Sequence, residues 1–453
     1  MVGMPGFLGG DKGILIIDQG LIKQMFIKDF DYFTGKKTVD FGNKYLNNAL
    51  FTLEGEKWRQ ARHASTPVFT SGKLRKMSRL MKKVAEDLVT QLNKFASTGE
   101  EVDAKELSSK FIVTVIANAG FGIDANAFKP QGEQFYKMAG KITGADRTTW
   151  DLIKLILIFM LPSSARKHFK LPFFEAINFF NDIIDQRLKM NNTQATRRDD
   201  MVDLFTETMM GNVSEEVKKE VAKDLEGSEL TKVKKFTEEE MDTLIRGNLF
   251  AMFLAGMELP AIMMSGCIFF LARNQDIQEK LFLEMKDANL DNNLEYNTIM
   301  NLPYLDMVVK EAMRHSTFTD GRWNCSKDYQ VPGTNITIPK GMGVTLSAHG
   351  VSMDERYFPN PNEFNPEHFN AANKENRSSA TDLVFSIGPR QCIGNRFAML
   401  QLKTGIANMV GKFRILPTSR LPDKYEPDPK SGSFKIKGGN WVKFERRGTE
   451  VYD

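Results

Sequence analysis

Apolar positions recur along most of this chain with the spacing of helices, and only a few short runs read as strands. Gly13–Asp18 is an apolar run bounded by polar residues and predicts a buried strand. Leu21–Lys28 has helical spacing, and residues 31–50, rich in Gly, Asn and Lys, read as a loop. Residues 84–125 predict helices with a polar break near Ser97-Thr-Gly-Glu, and Phe111–Phe121 reads as core. Residues 146–190 predict two amphipathic helices around Leu161-Pro-Ser-Ser-Ala-Arg, with Phe173, Phe174, Phe179 and Phe180 near helical spacing. Residues 191–235 are polar and charged and read as a surface linker. Thr237-Glu-Glu-Glu240 is a capping box, in which a threonine and the residue three on satisfy each other's backbone donors. From it a helix runs in register to about Arg273, roughly 50 Å at ~1.5 Å per residue. Pro260 removes one of its hydrogen bonds and is expected to kink it. Another helix ends at Arg314, where Glu311 and Arg314 share a face. Val331-Pro-Gly-Thr, Ile336–Ile338 and Pro339-Lys-Gly341 read as turn, strand and turn.

Composition narrows the class. The 453 residues are 42% hydrophobic and 26% charged, which suits a globular protein. A net charge of +4 is too small to argue for nucleic acid. Three cysteines exclude a disulfide framework and fit a reducing compartment. The 34 Phe and 24 Met fill a core and can also line an apolar pocket. No run reaches the ~18 unbroken apolar residues of a membrane span, and Leu155–Leu161 falls far short. Nothing at the start reads as a signal peptide.

One stretch carries chemistry. Phe385-Ser-Ile-Gly-Pro-Arg-Gln-Cys-Ile-Gly394 sets Cys392 between two glycines, and an unbroken helical pattern follows Gly394. The cysteine is therefore expected just ahead of a helix N-terminus, where free amide N–H groups favour a thiolate. Arg390 adds positive charge. With no second Cys or His nearby, a zinc cage or iron–sulfur cluster does not fit, and a single thiolate on a flat cofactor does.

This stretch resembles the haem-thiolate signature of the cytochrome P450 family, in the pattern Phe-x-x-Gly-x-Arg-x-Cys-x-Gly. The resemblance extends from Gly13 to about residue 445. Pro67-Val-Phe-Thr-Ser-Gly-Lys-Leu74 resembles the microsomal drug-metabolising group and its insect and thromboxane synthase relatives. It implies a mainly α fold with a small β-rich lobe near residues 1–50 and 325–350. A helical haem-binding core would span 55–320 and 380–410, all in one catalytic domain over 1–453. It implies haem b ligated by Cys392, with Phe385, Gly388, Arg390 and Gly394 shaping the loop. Trp58 and Arg62 would hydrogen-bond a haem propionate. Ala255 and Gly256 would lie along the distal haem face, followed by Glu258 and Leu259 at the catalytic positions. There the family pattern has a threonine pair, replaced here by Leu259 and Pro260. The Glu311/Arg314 pair becomes a buried lock in the family. His368 replaces an arginine that normally joins it, which puts that third partner in doubt. The segment before Cys325 is one residue short, so the second propionate-binding arginine falls on Trp323, with Arg322 one position off. Phe250, Phe253, Ala255, Leu259, Phe318 and Phe434 are the implied substrate-pocket positions.

The function the resemblance implies is monooxygenation of a steroid, fatty acid or xenobiotic, with electrons from NADPH through an FAD/FMN reductase and cytochrome b5 as a further donor. The alternatives are a reductase-independent peroxide isomerase or dehydratase, as in thromboxane synthase, and a degenerate non-catalytic haem binder. The basic set Lys57, Arg59, Arg62, Lys73, Arg75, Lys76 and Arg79 is either a docking face for the acidic reductase or a solvated helix face. Family members sit on the cytoplasmic face of the endoplasmic reticulum. Their N-terminal anchor is missing from this chain, which is expected to be truncated, with membrane association belonging to the full-length protein.

Overall fold

The computed structural model describes residues 2–4, 13–35, 43–143, 153, 157, 172–190, 200–209, 236–289, 295–316, 320–375, 377–428 and 435–448. Its longer helices, in chain order, are α1 (Gly55–Ser65), α2 (Ser71–Thr98), α3 (Ala104–Val115), α4 (Glu133–Thr143), α5 (Pro172–Met190), α6 (Met201–Met209), α7 (Glu238–Arg273), α8 (Gln275–Asp287), α9 (Pro303–Ser316) and α10 (Asn395–Lys412). The strands are β1 (Val2–Met4), β2 (Gly13–Ile16), β3 (Val102–Asp103), β4 (Gly321–Asn324), β5 (Tyr329–Gln330), β6 (Thr337–Ile338), β7 (Gly343–Leu346), β8 (Phe413–Pro417) and β9 (Trp441–Arg446).

The mainly helical fold with a small β lobe is as expected. The lobe is a four-stranded sheet in the order β1-β2-β7-β4, where β2 runs parallel to β7 and β4 antiparallel to it. Two chain regions some 330 residues apart are thereby zipped together, with Ile14 facing Val344. Trp323, Phe26, Phe33 and Val344 pack as a separate small core beside this sheet. A second sheet, β3-β9-β8, lies outside the lobe and carries strands that the periodicity did not separate from their surroundings.

Caps set the helix ends. Gly99, at φ +66°, ends α2 with its N–H on the Phe95 carbonyl, at the expected polar break. The capping box at the start of α7 is present in both directions, with Glu240 N to Thr237 Oγ1 at 3.2 Å and Thr237 N to Glu240 Oε2 at 2.9 Å. Helix α7 then runs 36 residues without a break through Pro260. It packs against α3, α9 and α10 and is the spine of the large core. By length and composition it could cross a membrane, which the search for unbroken apolar runs missed. The residues of that window are 72% buried in protein, as befits a core helix.

Leu21–Lys28 is helical throughout, α-helical to Lys23 and a π-helix from Gln24 to Lys28 that buries Met25 and Phe26. Two expectations change. Within the expected loop 31–50, Asn43 caps a helical turn over Lys44–Asn47, and Leu46 and Ala49 are buried. Within the expected linker 191–235, α6 is a core helix with Met201, Val202, Leu204 and Phe205 buried. The motif at Leu161 and the side chains of Phe173 and Phe174 lie outside the described residues.

Candidate cofactor site

The Cys392 loop is a set of tight turns pinned from outside. Gly388 opens a short 3-10 turn at φ +72°, and a Cβ there would stand 2.0 Å from the Phe26 carbonyl oxygen. Only glycine lets the two backbones approach this closely. Ser386 is also left-handed, at φ +64°. The Cys392 N–H donates to the Phe385 carbonyl at 2.8 Å, which closes the loop. Gly394 is the N-cap of α10 at φ −93°, an ordinary backbone conformation. Cys392 thus lies three residues ahead of the first turn of α10, as its sequence suggested.

Two arginines brace the loop. Arg62 of α1 donates from Nη1 to the Gln391 carbonyl at 2.9 Å. Arg390 donates from Nη2 to the carbonyls of Thr34 and Leu53, each at 2.7 Å, and stacks on the Trp58 ring at 4.2 Å. Burial pushes the Arg390 guanidinium down to about 9; the charge of Arg62 adds to this and Glu54 opposes it.

Between this loop and α7 lies a cavity of about 400 Å³. Ala255, Gly256, Leu259 and Pro260 of α7 form one wall, and Phe385, Cys392 and Gly394 the other, with Trp58, Arg62 and Arg390 at the side. Cys392 is exposed into it, whereas Cys267 and Cys325 are buried. Burial pushes the Cys267 thiol up to about 12 and the Cys325 thiol up as well. Cys392 is therefore, of the three cysteines, the one that lines the cavity.

Other expected site residues are placed elsewhere. Glu258 pairs with Lys105 of α3, Oε1 to Nζ at 3.0 Å, and does not line the cavity. Phe250 and Phe253 do not line it either. Phe253 packs on Phe180 at 3.9 Å between ring centres, and on Phe121 and Phe135 at 5.8 Å, while Phe250 meets Phe180 at 6.3 Å. Arg322 is exposed, opposite Thr345 in the β4/β7 register, and Trp323 is buried against Phe26. Neither side chain reaches the cavity, where Asp320 and Gly321 stand instead. Phe318 and Phe434 lie outside the described residues. Of the basic set, Arg62 belongs to the site, Lys73 pairs with Glu207 at 2.7 Å and Arg59 pairs with Asp31. Lys57, Arg75, Lys76 and Arg79 remain exposed.

The Glu311/Arg314 pair is fully buried. Arg314 grips Glu311 with Nε to Oε2 at 2.9 Å and Nη2 to Oε1 at 2.8 Å, and gives Nη1 to the carbonyls of Ser352 and Pro361. His368 does join it: Nδ1 lies 3.1 Å from Glu311 Oε1 and Nε2 lies 2.8 Å from the Pro359 carbonyl. The shorter side chain reaches because Pro366–Phe369 is a 3-10 turn laid directly on α9. Burial alone would raise the Glu311 carboxyl. Hydrogen bonds from Arg314, His315 and His368 outweigh it and hold the group well below the usual carboxylate range.

Sequence reasoning missed several polar groups. Gln401 of α10 lines the cavity fully buried, and neither end of its amide has a hydrogen-bond partner among the described residues. Lys403 is buried and reaches Asp306 at 2.8 Å. Arg187 of α5 holds both Asp200 (2.6 Å) and Asp203 (3.2 Å) in the interior. The signal for this last cluster was present as Asp-Asp ahead of an apolar helical run, the mark of a buried N-cap.

The family model described as Cytochrome P450 matches residues 6–441. The chain is 31% identical to Cytochrome P450 6B1 of Papilio polyxenes over 96% of this chain and 84% of the relative. It is 30% identical to Probable cytochrome P450 9f2 of Drosophila melanogaster over 96% and 84%. It is 32% identical to Cytochrome P450 6B4 of Papilio glaucus over 92% and 80%.

Proposed function

The chain belongs to the cytochrome P450 family of haem-thiolate oxidoreductases, and on that footing we propose that it inserts one oxygen atom from O₂ into a lipophilic small molecule, with Cys392 as the iron ligand. The observation that carries this is the exposure of Cys392 in one wall of a cavity whose opposite wall is α7. The residues present fit a haem. One cysteine faces the cavity, and two guanidiniums, Arg62 and Arg390, line its side, a donor set that would hold a flat dianionic group through one soft sulfur. When bound, the haem supplies oxygen activation, helped by electron donation from the thiolate.

The protein's part is placement and exclusion of water. Arg62, Arg390 and Trp58 would hold the acidic end of the group, and Leu259, Pro260, Ala255 and Gly256 would give it a dry wall. Electrons come from NADPH through an FAD/FMN reductase, with cytochrome b5 as a further donor, and the exposed cations Lys57, Arg75, Lys76 and Arg79 form the face that meets the acidic reductase. The setting is the cytoplasmic face of the endoplasmic reticulum membrane. A second reading has an observation of its own. Leu259 offers no hydroxyl to the cavity, and Glu258 is held by Lys105, so neither supplies protons from α7. That arrangement suits rearrangement of a lipid peroxide, which needs no reductase.

Cys392→Ala should abolish the thiolate-type carbon monoxide spectrum, while Cys267→Ala and Cys325→Ala retain it. An unchanged spectrum in the Cys392 variant would overturn the assignment. Product that requires NADPH and reductase supports the monooxygenase, and peroxide consumed without reductase supports the second reading.

A further inference from the structure

We infer that Asp320 makes the substrate pocket selective for lipophilic molecules bearing a cationic nitrogen. This rests on the haem-thiolate reading above. The cavity wall is chiefly apolar or cationic, and among its described lining residues Asp320 is the only carboxylate. It is exposed, at the residue before β4. It is also held in place. Ser347 Oγ lies 3.2 Å from each carboxylate oxygen, and the same hydroxyl accepts the Gly350 N–H at 3.1 Å. Ser347 is buried and is the N-cap of the short helix Ala348–Ser352, so the partner that orients Asp320 is fixed by backbone. Its neighbours in sequence, Leu346 and Ala348, line the same cavity.

Charge decides the class. The two cations lining the cavity, Arg62 and Arg390, are matched by the two propionates of a haem. Among the described lining residues, Asp320 is then the one charge left without a counterion. A fixed carboxylate on the pocket wall attracts a cation brought in by the ligand and repels a carboxylic acid of the same shape, while a neutral molecule gains nothing from it.

The test uses the haem-loaded protein and three probes of one shape: a dimethylamino-alkylbenzene, its isopropyl isostere and the matching phenylalkanoate. Binding is followed by haem absorbance and by equilibrium dialysis, in wild type and in Asp320→Asn. The wild type should bind the amine at least ~tenfold more tightly than the neutral isostere and the acid most weakly. Asp320→Asn should erase the preference for the amine and leave the affinity for the neutral probe within about twofold. Equal binding of amine and isostere by wild type overturns the inference. So does an amine preference that survives in Asp320→Asn, which would trace it to nitrogen–iron ligation. A protein that takes up no haem and shows no thiolate carbon monoxide band fails the underlying reading instead, and the inference falls with it.

Discussion

Two clusters of buried charge, one on α9 and one between α5 and α6, are each built around an arginine–carboxylate pair and behave oppositely. At Glu311 one carboxylate meets Arg314, His315, His368 and the Asn365 N–H, so donors outnumber acceptors. At Asp200 two carboxylates share one arginine, Arg187. Burial, and after it the charge of Asp203, push the Asp200 carboxyl up to about 6, while the backbone N–H of Asp203 and the Arg187 guanidinium only partly offset them. Burial depth is similar in the two. What differs is the ratio of donors to carboxylates, and that ratio decides whether a buried acid stays ionised.

Breaking the first cluster should have the largest effect. Glu311→Ala or Arg314→Ala leaves one buried charge uncompensated, at ~3–5 kcal/mol, a large share of a stability of ~5–15 kcal/mol. The expected readout is loss of soluble, haem-loaded protein for either variant. Full yield of both would show that the network is dispensable.

The second cluster is probed with pH. Glu311 has a depressed value in the folded state, so its contribution is present above the ordinary carboxylate range and is lost progressively as pH falls below that range towards the lowered folded value. Asp200 has a raised one, so the sign reverses. Its contribution is complete below ~4 and is lost as pH rises through about 6, by about 3 kcal/mol over roughly two pH units. Asp200→Asn should flatten the fall in Tm across that window relative to wild type. Parallel Tm–pH curves would remove Asp200 from the account.

A smaller effect sharpens the same contrast. Gly122 sits at φ +63°, and a Cβ there would lie 2.0 Å from Asp200 Oδ2 and 3.0 Å from Arg187 Nε. Gly122→Ala combines backbone strain with a push on the ion cluster, worth ~1–3 kcal/mol. Thermal unfolding should register it, and combining it with Asp200→Asn should give less than the sum of the two losses.

Legibility followed the range of the interactions. The Cys392 loop and the Glu311/Arg314 pair were readable because each is specified within ten residues by turn glycines and helix spacing. The reach of His368 was not, since it depends on a turn from elsewhere lying on α9. On α7 the misplacements have a simple cause. At about 100° per residue, Phe250 and Phe253 lie far around the helix from Ala255 and Leu259. Strict use of that period separates them, and resemblance alone did not. Arg322 failed on strand alternation: Gly321 and Trp323 share one face of β4, and Arg322 takes the other. Asp200 and Arg187 were hidden because charge in a polar stretch reads as solvated until an apolar helix such as α6 buries it.

The carbonyl of Phe26 against Gly388 joins positions 362 apart, and Arg390 reaches back 356 residues to Thr34. Such long-range closures are slow, because the loop between them must be ordered before they repay it. The cysteine loop can take its final shape only once both segments have been made and brought together, so haem capture belongs to a late stage of folding.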